Sequence, residues 1–392
     1  MNIAPSVHLT YCTNIHPGET WSETYSTLSA NLPAIKSKIS PRAPMGVGLR
    51  LSAAAAQELD APDKLADFSN FLNAHNLYVF TLNGFPYGAF HGTKIKDRVY
   101  LPDWSDETRL TYTDRLANIL AYLLPDRLTG SISTVPGAYL SHMHDNSVKQ
   151  IADGLIRHAA HLHELHRRTG KRISLALEPE PDCLLESSDD AVNFFRHFLY
   201  SAEAVAHFSA LTGLPHAQSL QALKTHLGIC LDICHLAILF ESPTEAIRKL
   251  RTTGIPIHKV QLSAALRVSP PNAAAKTALR PFAEDIYLHQ TAGIGPHGIR
   301  RWADLPLALT DETPCDEWRI HFHVPLWAER IGTFSTTRDA VAEVLALQKT
   351  HMLSAHLEVE TYTWNALGAE HRKFDLTSSV SEEIAWVIKT LC

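Results

Sequence analysis

Eight short runs of β-branched and aliphatic residues, separated by longer segments of helical period, constrain this chain more than any other feature. The runs are VHLTYCTNI from Val7, MGVGLRLS from Met45, YVFTLNGF from Tyr78, TGSISTVPG from Thr129, RISLALEPEP from Arg172, GICLDICHLA from Gly228, HKVQLSAAL from His258 and SAHLEVETY from Ser354. Short strands alternating with helices give a parallel sheet. The spacing predicts helices over 53–75, 106–124, 147–168, 188–208, 244–251 and 336–350, with Ser187 and Ser335 at N-cap positions before two of them. Eight such strands fit a closed (β/α)8 barrel better than an open sheet. The 392 residues suit one barrel domain with long loops.

One interval breaks the rhythm. Residues 267–335 carry the turn Ser269-Pro270-Pro271, then YLHQTAGIGPHG and WRIHFHVPLW. They read as an insertion after the seventh strand, with two extended segments over the barrel mouth. A small separate subdomain is the other reading.

Composition narrows the function classes. The formal charge is −6, with acidic and basic residues interspersed, so no basic face for a nucleic-acid backbone is expected. The first residues lack the basic flank and apolar run of a signal peptide, and no stretch approaches the ~18 apolar residues of a membrane span. The six cysteines, at 12, 183, 230, 234, 315 and 392, form no CxxC pair. They read as reduced thiols of a cytoplasmic protein. Cys230 and Cys234 flank Asp232 and are expected as buried strand residues.

At the C-terminal ends of barrel strands, polar residues face the active-site cavity, so ionisable groups there carry the information. Glu178 follows the apolar run ISLAL and precedes Pro179, where a carboxylate is costly unless paired or bound to a cation. Glu180 shares its face by strand parity. Asp232 ends another apolar run, and His235 lies three residues on, a DxxH spacing that offers one carboxylate and one imidazole. In HLEVETYTW, His356, Glu358 and Glu360 share one strand face. The order E…DxxH…E predicts a divalent-cation site (Mn, Mg, Fe or Zn), with a salt-bridged rim as the alternative.

These segments resemble the xylose-isomerase-like barrel superfamily of sugar isomerases, sugar epimerases and metal-dependent apurinic endonucleases. More narrowly, LTYCTNIHPGETW, TLNGFPYGAFHG, SISTVPG, LALEPEP, LDICHLA, RIHFHVPLW and HLEVETYTW resemble the ebo-cluster metabolite traffic (EboE) type. The resemblance implies metal ligands at Glu178, Asp232 and Glu358, with His235 facing substrate. Its usual seventh-strand histidine corresponds to Gln261, a poorer ligand for a transition metal. His323 is the expected substitute, with His289 and His321 as the other sources. The endonuclease pattern also needs early-strand histidines, and Val135 stands where one would be.

The expected chemistry is isomerisation or epimerisation of a small polyhydroxylated metabolite, through proton transfer at a carbon next to a carbonyl and an enediolate. Glu178 and Glu358 would remove and return the proton. His235, Asn14, His16, Trp21 and His289 would contact the substrate. A non-catalytic metabolite-binding or trafficking component on the same barrel is the alternative, and a metal-dependent hydrolase or nuclease a third. The resemblance leaves open a homo-oligomer or partners from the same gene cluster.

Overall fold

The computed structural model describes residues 1–92, 94–365 and 374–391 of the chain. Counted from the N-terminus, its first sheet uses β1 (Asn2–Ala4), β2 (Val7–Tyr11), β3 (Met45–Arg50), β4 (Leu77–Asn83), β5 (Thr129–Thr134), β6 (Arg172–Leu177), β7 (Leu227–Asp232), β8 (Ile257–Leu262) and β15 (His356–Val359). A second sheet uses β9 (Ala264–Val268), β10 (Thr291–Gly295), β11 (Gly298–Trp302), β12 (Glu317–Val324), β13 (Arg330–Ile331) and β14 (Phe334–Thr336).

The first sheet runs β1-β2-β15-β8-β7-β6-β5-β4-β3. Only β1 pairs antiparallel to its neighbour, β2; the other ladders are parallel. The ring of parallel strands closes where Cys12, just past β2, bridges Gly48 of β3 in parallel. There the Gly48 N–H donates to Thr10 Oγ1 at 3.0 Å. The chain is a (β/α)8 barrel. Its strands are buried along nearly their whole length, because inward residues fill the barrel and outward ones meet helices. Gly48 is required where it stands, since a Cβ there would lie 1.7 Å from Glu358 Oε2.

Local chemistry moves several predicted boundaries. The helix expected over 53–75 is two, Ala53–Leu59 and Pro62–Ala74, with Pro62 opening the second. That over 188–208 is interrupted after Leu199, and Ser201 caps the following helix Ala202–Thr212. Ser187 caps Ser188–Phe194 through a capping box with Asp190. Ser335 caps nothing: it lies in β14, and the next helix starts at Arg338. Helix Trp21–Ile39 holds Pro33 in its interior, a residue that reads as a breaker in sequence.

The seventh run, HKVQLSAAL, is not one strand. It leaves the barrel at Ser263, and Ala264–Val268 becomes β9 of the second sheet, ordered β11-β10-β12-β9-β14-β13. The interval therefore holds a six-stranded antiparallel sheet rather than two extended segments. One continuous apolar cluster joins barrel residues such as Leu175, Val260 and Leu357 to Leu266, Ile320 and Phe322 of that sheet. Its longest strand, β12, reaches the C-terminal ends of the barrel strands. Among the described residues no helix is long and apolar enough to cross a membrane. Cys12, Cys183, Cys230, Cys234 and Cys315 are free thiols; Cys392 lies outside the described residues.

Candidate metal centre

Three barrel strands deliver a carboxylate to one group. Glu178 stands one residue past β6, Asp232 is the last residue of β7, and Glu360 stands one past β15. Each offers an oxygen within 4.8 Å of the others, and all three are buried. Asp232 owes its orientation to capping. Its Oδ1 accepts the His235 N–H at 3.0 Å, closing the N-terminus of helix Ile233–Ile238, and the Ser263 hydroxyl at 2.7 Å. That leaves Asp232 Oδ2 without a hydrogen-bond partner, like Glu178 Oε2. Glu360 is held by Asn14 and Asn83, whose amides donate to its Oε1 at 2.7 and 2.9 Å.

Crowding three carboxylates in a dry site disfavours their charge. Burial first, then Glu360 and Asp232, raises Glu178 well above the usual carboxylate range. Burial, then Asp232 and Glu358, does the same to Glu360. Unpartnered buried oxygens converging on one point fit a divalent cation, which supplies the missing counter-charge.

Imidazoles approach from β12 and from the helix after β7. His323 Nε2 lies 4.0 Å from Asp232 Oδ2, and its Nδ1 donates to the Glu360 carbonyl at 3.1 Å. His235 Nδ1 donates to the Pro179 carbonyl at 2.9 Å, which turns Nε2 toward Asp232 Oδ1 at 3.9 Å and Glu180 Oε1 at 4.0 Å. In both rings the anchored Nδ1–H leaves Nε2 as the atom that can bind a metal. Burial pulls His323 down to about 4 and His321 well below the usual histidine range, so both rings are neutral at pH 7.

The structure keeps Glu358 out of this group, a correction to its expected place among the ligands. It sits two residues before Glu360 on the same strand face, one layer deeper, and its Oε1 is 2.6 Å from Lys259 Nζ. Both side chains are fully buried. Burial opposes the Lys259 charge, but the Glu358 carboxylate, with smaller contributions from Cys230 and Cys12, holds the ammonium above the ordinary lysine value. The face read as one ionisable stripe is thus three layers: His356 against Ser131 at 2.7 Å, Glu358 against Lys259, and Glu360 in the cluster. Gln261 is level with Asp232 and Glu358 in the ladders, and both its amide atoms are buried without partners.

The expected substrate contacts divide. Asn14 and His235 line a cavity whose lining also includes Glu178, Glu180 and Glu360 and the aromatic rings of Phe90, Tyr287 and Tyr362. Trp21 is not there. It opens helix Trp21–Ile39 and packs edge-on against Phe68 with ring centroids 4.9 Å apart, because the turn after β2 places it on the outer helical layer. His16 bonds the Tyr11 hydroxyl at 2.9 Å and does not line the cavity. His289 stands behind His321: its Nδ1 donates to the His321 carbonyl at 2.8 Å while its ring stacks on Phe322. Tyr100 and Gln290, which sequence reasoning missed, bond Glu180 and His321. No local pattern marks either one.

No protein-family model matches the chain, and no curated protein matches it. Solved structures match at low identity. A probable 3-DHS dehydratase involved in petrobactin synthesis from Bacillus anthracis is 11% identical with a TM-score of 0.47, covering 97% of this chain and 98% of its own. The IOLI protein with a binding zinc atom is 12% identical with a TM-score of 0.48, covering 98% of each chain. A D-tagatose 3-epimerase-like protein is 12% identical with a TM-score of 0.49, again over 98% of each. Likeness at these values carries no functional inference.

Proposed function

We propose that the cavity binds a divalent cation through Glu178, Asp232, His323 and Glu360 and transfers a proton at a carbon next to a carbonyl of a small polyhydroxylated metabolite. The observation that supports this most is that two buried carboxylates with an unpartnered oxygen, Glu178 (Oε2) and Asp232 (Oδ2), group with Glu360 with ligand oxygens within 4.8 Å. A cation bound there supplies Lewis-acid polarisation of a substrate carbonyl.

The chain's own groups divide the remaining work. Glu178 is the proton carrier, through the carboxylate oxygen that the cation leaves free. Glu360, fixed by Asn14 and Asn83, replaces Glu358 as the opposing carboxylate. His235, lining the cavity with its Nε2 free of hydrogen bonds, contacts a substrate oxygen. The aromatic walls exclude water from the reacting carbon.

Incubation of candidate ketoses with the protein in deuterated water tests this reading. Deuterium should enter the substrate with the wild type and not with Glu178→Gln, while the two circular dichroism spectra coincide. Equal incorporation by the variant would remove Glu178 from the role. A metabolite-binding or trafficking component of the ebo-cluster type is the second reading. It is favoured by the engagement of Glu358 with Lys259, which takes away one of the two acid–base carboxylates that the family pattern implies. Metal-dependent metabolite binding without exchange would favour it.

A further inference from the structure

The lining of the cavity falls into two unlike groups. One is ionisable: Glu178, Glu180 and Glu360 with His235, His321 and His323. The other is apolar. Phe90, Ile95 and Tyr287 form a hydrophobic cluster of their own, apart from the main core, and Val99 and Tyr362 pack against it. The three rings come from the segments after β4, before β10 and after β15. Their centroids stand 5.4 Å apart for Phe90 and Tyr287, 5.1 Å for Phe90 and Tyr362, and 5.2 Å for Tyr287 and Tyr362. All five residues line the cavity. Apolar surface held outside the core and turned toward a cavity is surface that an apolar part of a ligand covers.

The polar atoms of this second group are already engaged. His91 Nε2 lies 2.7 Å from the Asn14 carbonyl, which can only accept, so the proton is on Nε2. Burial holds that ring below the ordinary histidine value and so neutral at pH 7, which leaves Nδ1 to accept the Tyr287 hydroxyl at 3.0 Å. The Tyr362 hydroxyl donates to His321 Nε2 at 3.4 Å. Lys96 is the one lysine or arginine among the described lining residues, and its ammonium is held by Asp304 Oδ2 at 2.8 Å and the Glu284 carbonyl at 3.0 Å. A substrate hydroxyl seated against Phe90, Ile95 and Val99 would lose water and gain no partner. A phosphate would meet carboxylates without a free cation among the described residues to balance it.

We propose that the metabolite is a neutral conjugate with two unlike ends. Adjacent carbonyl and hydroxyl oxygens meet the cation, and an apolar, ring-sized group without phosphate seats on Phe90, Tyr287 and Tyr362. The inference rests on the cation site of the proposed function and names the class of molecule that site takes. A flat ring suits the second end, because the three protein rings offer edges and faces for edge-on or offset contact. Ile95 and Val99 set specificity by offering no partner to a hydroxyl there.

Calorimetry on the full chain, stripped with chelator and reloaded with Mn²⁺, compares three probes: 1-hydroxy-4-phenylbutan-2-one, D-ribulose and D-ribulose 5-phosphate. The phenyl ketone should bind about 10–100-fold more tightly than either sugar, and stripping the metal should abolish its binding. Phe90→Ala should erase most of that preference. Val99→Thr, which keeps the side-chain shape, should reduce it several-fold and leave the affinity for ribulose unchanged. Ribulose or its phosphate binding as tightly as the phenyl ketone overturns the inference and spares the cation site. Phenyl ketone binding that survives metal removal overturns the proposed contact with the cation. No binding by any probe to protein that has retained Mn²⁺ overturns the inference alone, whereas failure to retain Mn²⁺ removes the cation site beneath it. The wild-type comparison stands even if a variant fails to fold.

Discussion

The barrel and the inserted sheet supply different chemistry to the same few ångströms. The barrel contributes carboxylate oxygens, each at or one residue past a strand end. The inserted sheet contributes neutral nitrogens, His321 and His323, from alternate positions of one antiparallel strand, each anchored through Nδ1. The barrel groups create an electrostatic problem that needs a cation. The inserted groups can only adjust which cation answers it. Removing charge from the barrel should therefore do more than removing an imidazole from β12.

The most damaging change predicted is Asp232→Asn. It keeps the cap on the helix Ile233–Ile238 but removes the charge shared by two of the ligand groups. Purified protein should then contain no tightly held cation, whereas His323→Gln, which leaves all three carboxylates in place, should weaken affinity and still load at high metal. Equal loss in both would mean that the inserted sheet, not the barrel, sets the affinity.

Beneath the cluster the same barrel uses a carboxylate structurally. Lys259→Met strands Glu358 in the interior without its partner, at a cost of about 3–5 kcal/mol. Lys259→Met with Glu358→Leu should recover most of that, because a hydrophobic pair of similar volume has no charge to desolvate. Urea unfolding of both variants measures the difference. A single variant as stable as the wild type would place Glu358 in contact with water.

How legible each region was in the sequence follows from this contrast. Glu178 and Asp232 were readable because a carboxylate ending an apolar run has few other uses in a barrel. The last strand offered Glu358 and Glu360 on one face, and periodicity cannot say which is level with Asp232. The ladder does not decide it, since Gln261 pairs with both Asp232 and Glu358; the contacts do, with Glu358 held by Lys259 and Glu360 grouped with Glu178 and Asp232. Lys259 is the sequence signal for it, since a lysine within an apolar strand needs a buried partner. The inserted sheet was barely readable. His323 stood out only as an imidazole before a Val-Pro strand end, and Tyr100 and Gln290 are joined to the site by contacts across 80 and 190 residues of chain. Trp21 failed for a local reason: a capping box of Thr20 and Glu23 starts a helix there and turns the indole outward.

The smallest effect predicted lies where the two regions are tied together. Glu383, on the C-terminal helix Leu376–Leu391, accepts the Leu326 N–H at 3.0 Å and the Thr361 hydroxyl at 2.6 Å on the same oxygen. Leu326 follows His323 by three residues and Thr361 follows Glu360 by one, so this carboxyl links the end of β12 to the end of β15. Burial raises its pKa to about 7, partly offset by those two bonds. A carboxyl whose folded value is raised contributes stability that is fully present below its unfolded value, near 4.5, and is lost as the pH rises through about 7. Glu383→Gln keeps the accepting oxygen and cannot ionise. It should be more stable than the wild type by about 1–2 kcal/mol at pH 8, once relaxation around the buried charge is allowed for, and indistinguishable at pH 4.5. Denaturant midpoints at the two pH values read this directly. A variant less stable at both would show that the ionised form strengthens the link between the regions.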